Sequence, residues 1–310
     1  MKILITGATG MVGKNILTSS NFKNFELVAP NRSELNLFNY SDVLIYMKNL
    51  KPDFVIHCAG RVGGIQANIK HPVDFLVENL DINRNLIMAA RSAGVKKMIN
   101  MGSSCMYPRN AKNPLREEMI LDGELEPTNE GYAIAKIMAQ RLCSYIRKED
   151  ASFFYKTLVP CNLYGRHDKF EPEHSHLVPA VIRKLHEAKV QNIHEVDIWG
   201  DGTVRREFMY CGDLVDCVYK ALHDFETLPD VMNVGLGIDY SVNDYYRAVA
   251  EVVGYTGQFK HDLSKPVGMK QKLTSVDRAN EWGWRSTTSL VDGLRQTYEF
   301  FLGLESKEGL

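Results

Sequence analysis

Tyr132 and Lys136 stand four residues apart in the run Glu130-Gly131-Tyr132-Ala133-Ile134-Ala135-Lys136. On a helix that spacing puts both side chains on one face. An ammonium beside a phenol stabilises the phenolate, so the pair predicts a tyrosine titrating below its usual value near ~10. Such a phenol can pass a proton to or from a substrate oxygen. Upstream, the apolar run ending at Met101 leads into Gly102-Ser103-Ser104-Cys105, which delivers two hydroxyls and a thiol. A Tyr-x-x-x-Lys pair alone is most often a solvated helix pair. The residues around it turn the reading toward chemistry.

Those side chains need elements to hold them. Lys2 to Thr6 read as a buried parallel strand, and Gly7-Ala8-Thr9-Gly10-Met11-Val12-Gly13 follows at once, leading into a helical run through Leu17. This GxxGxxG turn lets the backbone approach a pyrophosphate at a helix N-terminus. The second strand, Glu26 to Ala29, ends in Pro30-Asn31-Arg32 rather than in the acid that holds an NAD ribose. A cation there suits a 2′-phosphate and favours NADP(H). Further strands are expected at residues 53–58, 97–101 and 157–159, and helices at 43–50, 75–93 and 132–145. Strands alternating with helices over about 165 residues imply a doubly wound parallel α/β sheet of Rossmann type. After Gly165 the texture changes. A polar loop over 166–176 precedes a helix at 177–189, a short strand at 196–199, a helix at 241–253 and a last helix from Leu290 to Leu302. Residues 1–165 are expected to form the cofactor domain, with a return segment near 207–225 in which Glu207-Phe208-Met209-Tyr210 rejoins the main sheet. Residues 166–310 are expected to form a smaller, discontinuous substrate lobe.

The bulk composition narrows the function. With 310 residues and a net charge of −1, no global basic field draws the chain to nucleic acid or to a membrane surface. No apolar run approaches the length of a membrane span, and the N-terminus is too short in apolar length for a signal peptide. The six cysteines are scattered without metal spacing, which fits reduced thiols in a cytoplasmic enzyme. His174 and His176 lack an evident third ligand, so no metal is expected.

Taken together, Gly7, Gly10, Gly13, the serine pair and Tyr132 with Lys136 resemble the extended short-chain dehydrogenase/reductase family. Within it, the strings Arg61-Val62-Gly63-Gly64-Ile65, Gly102-Ser103-Ser104-Cys105-Met106-Tyr107-Pro108, Leu125-Glu126-Pro127-Thr128-Asn129-Glu130, Asn162-Leu163-Tyr164-Gly165 and Trp199-Gly200-Asp201-Gly202-Thr203 are similar to NADPH-dependent epimerase-reductases of GDP-4-keto-6-deoxy-mannose. The likeness runs nearly end to end. It implies a reductase triad of Ser103, Tyr132 and Lys136, and a proton-moving pair of Cys105 and His176. For the cofactor it implies Gly7, Thr9, Gly10, Met11, Val12, Gly13, Arg32, Ser104, Asn162 and Leu163. For the GDP-sugar it implies Lys184, Trp199 and Arg206, and for assembly a homodimer through the helices beginning near Phe75 and Tyr132. Lys184 replaces an arginine, so a bidentate phosphate grip becomes a point charge. Two further departures concern the ligands: Val267 stands where the family has an aspartate, and Thr9 where relatives often have arginine.

The chemistry so implied is proton removal beside a ketone, return of a proton on the other ring face, and hydride transfer from NADPH to C4. Cys105 as thiolate and His176 as imidazolium serve inversion, residue types that exchange protons near neutral pH. Tyr132 and Ser103 hold the ketone oxygen while charge sits on it. The competing expectations are a C4 reductase of a GDP-4-keto-6-deoxy-heptose without epimerase activity, a non-catalytic NADP(H)-sensing protein, and a redox-neutral sugar epimerase.

Overall fold

The computed structural model describes residues 1–171, 175–264 and 269–308. Its elements run β1 (Lys2–Thr6), α1 (Met11–Thr18), β2 (Glu26–Val28), α2 (Tyr40–Leu50), β3 (Phe54–His57), α3 (Ile65–Lys70), α4 (Pro72–Ser92), β4 (Lys97–Met101), α5 (Glu130–Glu149), β5 (Phe154–Pro160) and β6 (Asn162–Tyr164). The second half continues with α6 (Leu177–Val190), β7 (Glu195–Trp199), β8 (Arg205–Arg206), β9 (Phe208–Tyr210), α7 (Cys211–His223), β10 (Val231–Val234) and β11 (Tyr240–Ser241). It closes with α8 (Val242–Val253), β12 (Gln258–Asp262), β13 (Gln271–Lys272), α9 (Asp277–Glu281) and α10 (Leu290–Glu308).

Six strands form one parallel sheet in the order β10-β5-β4-β3-β1-β2. Side chains alternate across it, as a strand's two-residue period requires. Ile3, Ile5, Phe54, Ile56, Ile99 and Met101 enter the core under α1 and α7, while Leu4, Val55 and Met98 enter the core under α2, α4 and α5. Burial on both faces explains why these strands read as continuous apolar runs. The strand order reverses between β1 and β3, which opens a crevice at their carboxyl ends, where a doubly wound sheet binds its ligand.

The second lobe has its own core. Val178, Val181, Ile182 and Leu185 of α6 meet Tyr245 and Val249 of α8 and Leu294 and Phe301 of α10. Three small sheets accompany it: β11-β8-β13, β12-β7 and β6-β9. Glu207–Tyr210 therefore does not rejoin the main sheet. Its Phe208–Tyr210 portion pairs with Asn162–Tyr164, and the sixth strand of the main sheet is Val231–Val234, beside β5. A run of three buried apolar residues carries no information about which sheet it will join. Helix α7, which follows β9, does pack on the main sheet through Leu214, Val215, Val218 and Ala221.

Candidate active site

The glycine-rich turn is held by contacts that only glycine permits. Gly7 sits at φ +72°, and a Cβ there would lie 2.6 Å from the Ala59 nitrogen, in the turn after β3. A Cβ on Gly13 would lie 2.5 Å from the Gly7 carbonyl oxygen, so α1 is pressed against the turn that starts it. Gly10 occupies the N-cap of α1 with no side-chain cap, leaving the first helical N–H groups for an anion. Thr9 is exposed on this turn, Met11 and Val12 are half-buried, and Arg32 is exposed in the turn beyond β2, the edge strand beside β1. Ser104 is buried, and Asn162 and Leu163 are half-buried on β6, where the Asn162 amide donates to the Glu207 carbonyl at 3.0 Å.

β4 ends at this crevice and delivers Ser103, whose hydroxyl caps a short turn by accepting the Cys105 N–H at 3.3 Å. α5 lies across from it. The Ser103 hydroxyl is hydrogen-bonded to the Tyr132 phenol, and the Lys136 ammonium stands 5.8 Å from the tyrosine ring centre. Lys136 is buried and donates to the Met101 carbonyl at 2.8 Å. Ser103, Cys105, Tyr132 and Lys136 thus form one cluster.

The electrostatics differ from the expectation in one respect. Tyr132 titrates above its usual value, not below: burial penalises the phenolate, the neighbouring Cys105 adds to this, and the Ser103 hydrogen bond offsets part of it. Lys136 is anchored on a carbonyl rather than on the phenol, and burial brings its own pKa down to about 8. The phenol is therefore held protonated, which suits an acid.

The Cys105 sulfur is half-exposed and faces two donors. The Asn129 amide lies at 3.2 Å and the Lys272 ammonium at 3.7 Å. Neither was singled out from sequence. Lys272 arrives from β13, 167 residues away in the chain, with no local pattern to mark it. β13 pairs with β8 so that Lys272 stands opposite Arg206, which brings the thiol's cation alongside a residue expected to bind the GDP-sugar. A cavity of about 290 Å³ adjoins the cluster, lined by Asn68, Phe75, Thr128, Asn129 and Tyr132 among others.

The remaining expected residues lie in the second lobe. His176 is half-buried at the head of α6, and burial followed by the Lys169 charge lowers its pKa. The structure thus favours a neutral imidazole over the expected imidazolium. Lys184 on α6 donates at 2.6 Å to both the carbonyl and the carboxylate of Asp197, so it is already paired. Trp199 is 53% exposed at the end of β7, and Arg206 donates to the Arg205 carbonyl at 2.8 Å. His174 and Val267 lie outside the described residues. Among the described residues no three His, Cys, Asp or Glu side chains gather to hold a metal, and no helix is long and apolar enough to cross a membrane.

Comparison with known proteins agrees with this geometry. Residues 3–235 match the model of the NAD dependent epimerase/dehydratase family. The chain is 49% identical to the GDP-L-colitose synthase of Yersinia pseudotuberculosis, over 99% of this chain and 100% of that one. It is 46% identical to a GDP-L-fucose synthase of Azorhizobium caulinodans, over 97% and 96%. Among solved structures, a GDP-mannoheptose C4 reductase from Campylobacter jejuni with NADP bound superposes with a TM-score of 0.88 at 33% identity, covering 97% of this chain and 98% of that one. A fold with the switch-point crevice, a glycine turn beneath it and a serine, tyrosine and lysine converging at its edge places the chain in the NAD dependent epimerase/dehydratase family, within the extended short-chain dehydrogenases/reductases.

Proposed function

We propose that the protein is an NADPH-dependent epimerase-reductase of a GDP-linked 4-keto-6-deoxy sugar. The observation that carries this reading is the single cluster joining Ser103, Tyr132 and Lys136 to Cys105, with an ammonium and an amide N–H facing the sulfur. A thiol so placed can move a proton beside the ketone, a step that reduction by itself does not require. Relatives named for GDP-L-colitose and GDP-L-fucose synthesis support the substrate class, and a neighbour holding NADP supports the cofactor. Arg32 beyond β2 and the free N-terminus of α1 are the groups on this chain that fit NADP, the first its 2′-phosphate and the second its pyrophosphate.

In this reading NADPH supplies hydride to C4. Tyr132 and Ser103 hold the ketone oxygen, and the protonated phenol delivers its proton as alkoxide forms. Lys136, at about pKa 8, keeps a cation beneath that step. Cys105 removes the proton beside the ketone. His176, neutral at rest, must first take up a proton before it can return one from the opposite face. Trp199 and Arg206 serve the GDP moiety. Lys184 reaches a phosphate only by leaving Asp197, so its expected role is the weakest supported of the three. The division into residues 1–165 and 166–310, with α7 and β10 returning to the first unit, belongs to the same proposal. So do a homodimer and a cytoplasmic setting, the latter supported by six free cysteines.

A second reading, C4 reduction of a GDP-linked heptose without inversion, is favoured by the neighbours that act on such sugars. The two separate in deuterated water. Purified protein with NADPH and GDP-4-keto-6-deoxy-mannose should oxidise NADPH and yield product carrying deuterium at C3 and C5. Oxidation without deuterium, with this sugar and its heptose analogue, leaves the reductase reading. No oxidation with either sugar removes both.

A further inference from the structure

Asn129 sits at the N-cap of α5, where asparagine ordinarily accepts an N–H from the first helical turn. Here its side chain makes no cap hydrogen bond. Its amide instead donates to the Cys105 sulfur at 3.2 Å, and its own oxygen is buried without a partner. The backbone around it is fixed independently. Glu126 accepts from both the N–H and the hydroxyl of Thr128, at 3.5 and 3.2 Å, and a Cβ on Gly131 would lie 3.1 Å from the Pro72 carbonyl, so the head of α5 is held against α4. The Asn129 side chain makes no cap bond and leaves its own oxygen buried without a partner, while its amide contacts the sulfur.

We infer that Asn129 is a positioning residue for Cys105: its amide aims the sulfur by hydrogen bonding, at the head of the helix that also carries Tyr132 and Lys136. The inference rests on the epimerase-reductase reading for its purpose, though not for its test. The sulfur's surroundings are the Lys272 ammonium from β13, Asn129, Tyr132 and Lys136 from α5 and the turn preceding it, and Ser103 from the end of β4. Of the two groups that donate to the sulfur, Asn129 is the neutral one. Its removal leaves every charge in place and changes only the hydrogen bond.

Two substitutions separate this role from helix capping. As N-caps, asparagine, aspartate and serine are nearly equivalent, so Asn129→Ser and Asn129→Asp should leave the melting temperature unchanged or raise it. As partners of the sulfur they differ. Serine is too short to reach the sulfur, and aspartate presents an anion to it. Alkylation of Cys105 by iodoacetamide at neutral pH, read on the peptide that carries it, should slow roughly tenfold in Asn129→Ser and further in Asn129→Asp. With GDP-4-keto-6-deoxy-mannose in deuterated water, deuterium incorporated per NADPH oxidised should fall in the same order. Labelling as fast as wild type in both variants, or rates that merely track melting temperature, overturns the inference. If the protein turns over no such sugar, the functional reading fails while the labelling series still decides the role of Asn129.

Discussion

On the proposed function, Tyr132 is the residue on which reduction turns. Its phenol is held neutral by burial beside Ser103, so it can act as acid without first being protonated. Tyr132→Phe removes only the hydroxyl and keeps the ring. Hydride transfer should then fall by roughly 10² to 10⁴ while the melting temperature holds. Stopped-flow NADPH oxidation checks this, and near wild-type turnover would refute the assignment. Arg32 gives a second expectation at this scale. It is exposed and follows a strand with no terminal acid, so Arg32→Ala should weaken NADPH binding by tenfold or more, roughly one charge-assisted hydrogen bond, and NADH binding far less. Titration with both nucleotides decides the matter; equal losses argue against the 2′-phosphate contact. Ser103, Cys105, Tyr132 and Lys136 were legible in the sequence because each follows a recognisable local pattern. The sign of the tyrosine's shift was not. Spacing brings Lys136 to the same helix face, but only the fold shows its ammonium tied to the Met101 carbonyl. Lys272 and Asn129 were hidden for a related reason: what matters about them is a contact to sulfur, and no one-dimensional pattern encodes that.

Among the elements of residues 1–160, the strands and long helices were legible to within about four residues at their ends, because buried parallel strands are unbroken apolar runs and the helices between them are long, while the short α3 after the glycine-rich loop was not. The short pieces β6, β8, β9, β11 and β13 were not, since two or three residues do not establish a period. What fixes them is Glu207, which lies between β8 and β9 and is almost wholly buried. Its carboxylate accepts from the N–H groups of Leu236, Gly237 and Thr274 and from the Thr274 hydroxyl, at 2.7 to 2.9 Å. Every one of those partners comes from beyond β10. Glu207→Gln turns an NH₂ toward donors, so it should destabilise the fold by about 2 kcal/mol or more, seen as a loss of several degrees in thermal melts. An unchanged melting temperature removes Glu207 as the joint. The loop between β6 and α6 carries the opposite kind of group. Asp168 has one carboxylate oxygen buried without a partner, and burial raises its pKa to about 7. A carboxyl with a raised folded-state pKa favours the fold only while protonated. Stability should therefore decline as pH rises from about 4 to about 7 and level off above that. Asp168→Asn should flatten this decline and melt higher than wild type at slightly alkaline pH; parallel melting curves for the two proteins across that range count against it.

At the scale of the whole molecule, part of the exposed apolar surface lies on one pair of packed helices. Val73 and Val77 on α4 are 68% and 46% exposed, and Ile134 and Tyr145 on α5 are 41% and 60% exposed. Val73 and Val77 are one turn apart, Ile134 and Tyr145 three turns, so each pair shares a face of its helix. The two helices, of 21 and 20 residues, pack along each other. A symmetric copy laid against this pair would make a four-helix contact in which each patch meets itself, the simplest closed arrangement for a two-fold dimer. Helices of this length run roughly 30 Å, enough to bury the ~1,200 to 2,000 Å² that a stable interface needs. α5 also carries Tyr132 and Lys136, to which the proposed function gives the reduction step, and both helices line the cavity beside them, so association would also stiffen the site. Val77→Arg places a charge in the middle of the patch on a side chain that is already half out of the fold. Sedimentation velocity at micromolar concentration should then show a dimer for wild type and a monomer for Val77→Arg. Val190→Arg, on an exposed position of α6 in the second lobe, should remain dimeric. A wild-type monomer, or a Val77→Arg protein still at twice the chain mass, would mean that this face does not join two copies.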